Sequence, residues 1–366
     1  MTGVRLPEIG EQNIGAGDDL RSAAAIGEVA MTHARNPDRR EALASGLALA
    51  ATAATPALAA GPRVPLFDGH LHIVSKDAKR YPHSKTPPPG RPPPGAPPAP
   101  GDSMEIGKTV LFPTAEEILG WMDAQGVVAA AAVQRRGTYG LDNSYVLDSA
   151  DAHPDRLRPV VVLDAWEASS PATLSDLIKT RNIVGLRLTG GEDENGAFPW
   201  LDSDASLKTW AVADSAGLTM NVLYAPLYYS AKAMEAILRV AALFPHTSIV
   251  VDHLARLNPG PAPDYGVSAY PAALANHRNV YFKFTTGNFN VLQEAKIPVQ
   301  AFMRRLVDRI GADRLLWGSN MGSSAGTYEE MAARARDAVA KLTAAEQRQA
   351  LCDTGRSVFM SRRKTK

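Results

Sequence analysis

The chain has 366 residues, 45% of them hydrophobic and 21% charged, with a formal net charge of +1. That is globular composition, long enough for one large core or two domains. Near-neutral charge without blocks of one sign excludes a nucleic-acid footprint and an anionic-membrane patch, and the single cysteine, Cys352, excludes an intramolecular disulfide framework and reads as a buried structural thiol.

The first 30 residues show no periodic pattern. From Asn36 to Ala60 there follow an adjacent arginine pair (Arg39, Arg40), a weakly apolar stretch rich in Ala, Thr and Gly, and a small-residue Ala57-Leu58-Ala59 site. Together these read as an export signal that resembles the twin-arginine type, although Glu41-Ala42-Leu43 departs from the residues usual after the pair. The stretch is too short and too poor in large apolar side chains for a permanent membrane anchor. Residues 1–60 are therefore expected to be a leader, with its start at Met31 and cleavage after Ala59, and the mature protein to be periplasmic or secreted. A long segment ahead of the arginines, or a mobile N-terminal helix of a cytosolic protein, are the alternatives.

The mature chain, 61–366, opens on Pro65-Leu66-Phe67-Asp68-Gly69-His70-Leu71-His72-Ile73. Strand alternation puts His70 and His72 on one face. Two imidazoles converging from a rigid strand can hold a metal ion or polarise a carbonyl, although His-x-His also occurs by chance on surface strands. A proline-rich segment within 82–102 follows and reads as an extended surface loop, since proline lacks both the donor and the φ freedom for helix or central strand.

From Thr114 a rhythm sets in. Thr114-Ala115-Glu116-Glu117 is a capping box opening a helix that ends near Gly126. Apolar strands are expected at 127–133, 158–163, 184–189, 218–223, 248–252, 280–284 and 315–318. Helical stretches between them fall at 143–150, 174–179, 207–215, 230–243, 271–276 and 299–310, and two more complete the chain. With the His-x-His strand this makes about eight strands alternating with helices, the pattern of a single-domain α/β (β/α)8 TIM barrel. An open doubly wound sheet should show a Gly-rich dinucleotide turn after its first strand, and none is present.

In such a barrel, chemistry sits at the carboxyl ends of the strands. That rule singles out His70, His72 and His253 among the eight histidines, together with Gln134, Asp164, Arg187, Asn221, Asp252 and Asn320.

The ordered set Phe67-Asp68-Gly69-His70-Leu71-His72, Gly185-Leu186-Arg187-Leu188, Val251-Asp252-His253-Leu254 and Trp317-Gly318-Ser319-Asn320 resembles the amidohydrolase superfamily. Within it the chain is most similar to the lactone-hydrolase branch, to which the stretch holding Gln134, Tyr139 and Asn143 is also similar. The resemblance implies that His70 and His72 ligate a divalent metal, zinc or manganese, or contact the substrate carbonyl in metal-independent members. It implies that His253 acts beside them, that Arg187 pairs with a substrate carboxylate, and that Gln134, Tyr139 and Asn143 line the substrate. The partner is then a small carboxylated molecule.

Two departures bear on this. The aspartate expected after the eighth-strand Trp-Gly-Ser is Asn320, and an amide neither accepts a proton near neutral pH nor offers a metal a negative charge. The fifth strand carries Asn221 where metal-binding relatives have histidine. A metal is thus expected to be weakly held, with Asp252 the first substitute base; Glu192, Asp193 and Glu194 read as solvated loop acids. Three functions follow: a hydrolase opening a lactone or related carbonyl ester, a metal-dependent nonoxidative decarboxylase of an aromatic acid, or a weakened barrel that binds a small acid.

Overall fold

The computed structural model describes residues 63–85, 105, 107–224, 231–256, 258–360 and 362. The expected leader with its export signal, and most of the proline-rich segment, lie outside the described residues. Eight strands run in sequence order around one sheet: β1 (Leu66–Leu71), β2 (Val127–Val133), β3 (Leu157–Val162), β4 (Gly185–Gly190), β5 (Thr219–Tyr224), β6 (Ile249–Val251), β7 (Val280–Thr285) and β8 (Leu315–Gly318). Every neighbouring pair is parallel. The circle is drawn shut by a parallel bridge between Leu71 and Met321 and by hydrogen bonds from His72 N to Met321 O and Asn320 N to His70 O. This is the expected (β/α)8 barrel.

The intervening helices are α1 (Ala115–Gln125), α2 (Arg136–Tyr139), α3 (Ser144–Ala152), α4 (Ser170–Thr180), α5 (Pro199–Asp202), α6 (Asp204–Ser215), α7 (Ala231–Leu243), α8 (Thr286–Glu294), α9 (Val299–Ile310), α10 (Tyr328–Ala338), α11 (Ala344–Arg348) and α12 (Thr354–Phe359). The capping box at α1 forms as the sequence predicts, with Thr114 accepting from Glu117 N and Glu117 accepting from Thr114 N. Helix α8 is not legible in the sequence, because its only large side chains buried are Phe289 and Leu292 amid Asn and Gln. The stretch expected to be helical at 271–276 is a tight 3-10 turn, Ala272–Asn276. No helix among the described residues is long and apolar enough to cross a membrane.

Strand alternation divides the core into two layers. Outward-facing residues such as Leu186, Leu188, Met220, Val222, Phe282 and Phe284 pack under the helices. A second cluster fills the barrel's interior with Phe67, Ala129, Ala131, Val160, Val250 and Leu316. Its floor is closed by the C-terminal segment: Phe359 stacks on Phe67 with ring centroids 6.2 Å apart, and Arg158 and Thr219 donate to the carbonyls of Phe359 and Val358. Above that apolar plug the inward positions turn polar. That change of lining marks the site.

Candidate active site

Strand β1 supplies two of the three histidines. Its pairing with β2 slips between Asp68 and Leu71, and the irregularity is held by Asp68. One carboxylate oxygen of Asp68 accepts from His70 N and Ser319 N, each at 2.9 Å, and the other from the Tyr328 hydroxyl at 3.0 Å. Burial pushes the Asp68 carboxyl up to about 6, against the pull of those donors. Strand β8 comes close only because glycine faces the histidines: a Cβ on Gly318 would lie 2.6 Å from His70 Cβ, and one on Gly322, at φ +84°, 2.9 Å from His72 Cβ.

The Nε2 atoms of His70 and His72 stand 3.3 Å apart, as the alternation predicts. His72 Nδ1 is 2.8 Å from Val133 O, which can only accept, so Nδ1 carries the proton and Nε2 the lone pair. His70 Nδ1 lies 3.0 Å from the ammonium of Lys283. That nitrogen must therefore accept, and His70 keeps its proton on Nε2, pointing at His72. Both imidazoles are held well below their ordinary pKa, first by burial and then by cationic neighbours, Lys283 for His70 and Arg187 for His72.

Lys283, on β7, is fully buried and absent from the residues singled out by sequence. Its Nζ is 3.1 Å from Asn221 Oδ1 and 2.8 Å from Asp252 Oδ1, the latter an ion pair off the hydrogen-bonding angle. The other oxygen of Asp252 accepts from Arg187 Nε at 2.8 Å. Burial alone would raise the Asp252 carboxyl, but Lys283 and Arg187 hold it well below the usual carboxylate range. Two cations on one carboxylate leave this buried group with a net charge of +1. A signal for Lys283 does exist: a lysine inside Val280-Tyr281-Phe282-Lys283-Phe284 interrupts an apolar parallel strand, where a charge persists only with partners.

His253 follows β6 in an unusual turn. Residues His253 to Arg256 all take positive φ, between 51° and 54°, a conformation costing roughly 1–2 kcal/mol per L-residue. The turn is tied down by Asn288 Nδ2 on His253 O, the Tyr270 hydroxyl on Leu254 O, and Arg256 Nε on Tyr224 O. It brings His253 to a ring-centroid distance of 5.3 Å from His70. His253 Nδ1 lies 2.8 Å from Thr285 Oγ1, whose own proton goes to Asn288 Oδ1. His253 Nδ1 therefore donates, and Nε2 bears a free lone pair. Burial, with Arg256, Arg187 and Lys283 against Asp252, lowers the His253 pKa to about 3, so the ring is neutral at ordinary pH.

The remaining sequence-derived candidates fall elsewhere. Asn320, at φ 60°, donates from its Nδ2 to Ser324 Oγ at 2.9 Å. Gln134 donates to the carbonyls of Gly140 and Asp142, the Tyr139 hydroxyl accepts from Ser75 N, and Asn143 spans Leu141 and both backbone groups of Val162. These contacts brace the loops after β1, β2 and β3, and Gln134 Oε1 is buried without a hydrogen-bond partner among the described residues. Asp252, by contrast, stands in the cluster, where two ion pairs hold its carboxylate in the charged form. Arg187 differs from all of these. Only its Nε is engaged, and among the described residues neither terminal nitrogen has a partner.

His70, Asp252 and His253 offer ligand atoms all within 4.8 Å of one another, a spacing that a metal ion bridges. The charge there does not fit one. Lys283 Nζ already contacts two of the three; burial lowers its pKa, and Asp252 pulls the other way, toward the ammonium.

Residues 67–359 match the family model described as amidohydrolase. The chain belongs to the amidohydrolase family. Solved structures with the same fold include a probable 2-pyrone-4,6-dicarboxylic acid hydrolase from Acinetobacter baumannii with citric acid bound, at 18% identity and a TM-score of 0.57, covering 81% of this chain and 99% of that one. An amidohydrolase from Burkholderia multivorans with bound zinc gives 18% identity, a TM-score of 0.57 and coverage of 80% and 98%. The 2,6-dihydroxybenzoate decarboxylase from Rhizobium gives 14%, 0.54, and coverage of 81% and 99%. No curated protein matches the chain. As an amidohydrolase, the protein is a hydrolase.

Proposed function

We propose that this amidohydrolase opens a lactone, or a related carbonyl ester, of a small substrate carrying a carboxylate. The observation that carries the reading is the free guanidinium fork of Arg187, seated in a buried group of net charge +1 beside three neutral imidazoles. A planar fork with two unspent nitrogens suits a carboxylate, and a water-poor site of positive charge favours an anion.

The reaction needs a base and a charge for the oxyanion. His253 Nε2 accepts a proton from water as the water oxygen bonds to the carbonyl carbon. The tetrahedral oxyanion that forms is stabilised by the surplus positive charge of the cluster. The ring C–O bond then breaks, and the leaving oxygen takes the proton from His253, giving a hydroxy acid. His70 and His72, locked to each other through Nε2, form the rigid wall against which the carbonyl is oriented.

A panel of small lactones with and without a carboxylate, together with aromatic hydroxy acids, tests the reading. Ring opening is expected in the wild type, with His253→Gln slower by ~10²–10⁴-fold and still folded by circular dichroism. Release of carbon dioxide from an aromatic acid would make the protein a decarboxylase, and binding without turnover would make it a weakened barrel. We also propose export by the twin-arginine route, supported by Arg39-Arg40 and the Ala57-Leu58-Ala59 site. Mass spectrometry of the exported form should then find an N-terminus near Ala60, whereas a cytosolic protein that keeps Arg40 would end that proposal.

A further inference from the structure

Lys283 enters the reading above only through its charge, yet the fold keeps it at considerable cost. An ammonium with 0% exposure persists only where its hydrogen-bonding capacity is met. Here its Nζ hydrogen-bonds His70 Nδ1 at 3.0 Å and Asn221 Oδ1 at 3.1 Å and forms an ion pair with Asp252 Oδ1 at 2.8 Å. Two of these belong to the group whose spacing suits a metal ion. The third, Asn221, stands on β5.

We propose that Lys283 is the resident cation of this barrel, filling from within the chain the place of a divalent metal and excluding one from His70, Asp252 and His253. Two features enforce the exclusion. A metal at the His70–Asp252–His253 group would share its carboxylate with a fixed ammonium and be repelled by it. A metal bridging the two Nε2 atoms of His70 and His72, 3.3 Å apart, would require His70 to shift its proton to Nδ1. That proton would then face the N–H bonds of Lys283, donor against donor. Lys283 is thus a positioning residue: it fixes the tautomer of His70 and, through it, the direction of the hydrogen bond to His72. The inference holds whichever carbonyl compound the site turns over.

The test is metal binding, read independently of turnover. Zinc and manganese content of protein purified without chelator, and calorimetric titration with zinc chloride, are compared between the wild type and Lys283→Gln. Glutamine is of similar length, neutral, and able to donate to Asn221 or Asp252. The wild type should hold metal far below one ion per chain. Lys283→Gln should approach one ion, bind zinc roughly 10²–10³-fold more tightly, show a zinc-dependent rise in melting temperature, and lose all three gains on adding His70→Ala. A folded Lys283→Gln with wild-type zinc affinity overturns the proposal. So does a wild type that carries one tightly bound ion per chain, an outcome that needs no variant to fold. Should Lys283→Gln unfold, the wild type decides alone: failure to bind zinc in the calorimetric titration supports the proposal, and one tightly bound ion per chain overturns it.

Discussion

The two ends of this barrel are built from the same eight strands and the same alternation, yet their interiors are opposites. Toward the amino ends, inward positions hold Phe67, Ala129, Ala131, Val160 and Val250, and the C-terminal segment plugs the floor with Cys352, Val358 and Phe359. Toward the carboxyl ends, inward positions hold His70, His72, Arg187, Asn221, Asp252 and Lys283, all buried. Both layers are closed to water, so the contrast is not one of core against surface. The floor is stabilised by apolar burial. The upper layer is held by directional hydrogen bonds and ion pairs among these side chains, which fix them in direction as well as place. The two ends should therefore fail in different ways when perturbed.

The largest expected effect on stability is at the floor. Phe359 is fully buried and stacks on Phe67 with the rings inclined by only 4°. Phe359→Ala should cost about 3–5 kcal/mol of unfolding free energy by denaturant titration, while turnover per folded molecule changes little, even though Lys283 Nζ stands 5.6 Å from the centre of the Phe359 ring. A loss of kcat in protein that remains fully folded would show that the floor and the mouth are not separable.

A smaller effect, of opposite character, is expected at the mouth. His253 has its pKa lowered to about 3, against 6.5 for a free imidazole. The unfolded chain therefore binds a proton that the folded chain does not. The stability from this neutral ring is complete above pH 6.5 and is lost progressively as pH falls toward 3. In chelator-treated protein, His253→Gln should flatten the pH dependence of unfolding by about one proton, or roughly 1.4 kcal/mol per pH unit across that window. Phe359→Ala should shift the curve without changing its slope. Equal slopes for His253→Gln and the wild type would mean that the ring is charged in the folded protein.

The smallest effect is expected at Asn320. With its Nδ2 on Ser324 and its backbone N on His70 O, this residue serves the β8–β1 seam rather than the cluster. Asn320→Asp by itself should leave metal content and turnover within assay error. The sequence favours the contrary expectation, that restoring the acid raises one or the other, and a clear rise in either would return the aspartate's role to this position.

How much of this was legible in the sequence divides along the same line. Period-2 and period-3.6 patterns are carried by apolar residues, which the floor and the outer layer are made of, so the strand order and the barrel follow from the sequence. His70, His72 and His253 were visible because the carboxyl-end rule sorts polar residues by position along a strand. The partnership of Arg187 with Asp252 was not visible, because the two stand 65 positions apart and meet only across β5. Lys283 was hidden for a further reason. It lies in the body of a strand rather than at its end, and the rule that found the histidines passes over it. Gln134, Tyr139 and Asn143 lie close to the mouth in sequence, but nothing local distinguishes a side chain that meets a ligand from one that holds a loop carbonyl.

The central claim is that the mouth is organised to receive an anion on Arg187, and one measurement addresses it directly. For a lactone that the wild type opens, kcat/KM is measured for the free carboxylate and for its methyl ester, in the wild type and in Arg187→Gln. A charge-assisted hydrogen-bonded pair is worth about 1.5–3 kcal/mol, so the wild type should prefer the carboxylate by roughly 10–150-fold and Arg187→Gln should lose most of that preference. An Arg187→Gln variant that is folded, active and as selective for the carboxylate as the wild type would contradict the account.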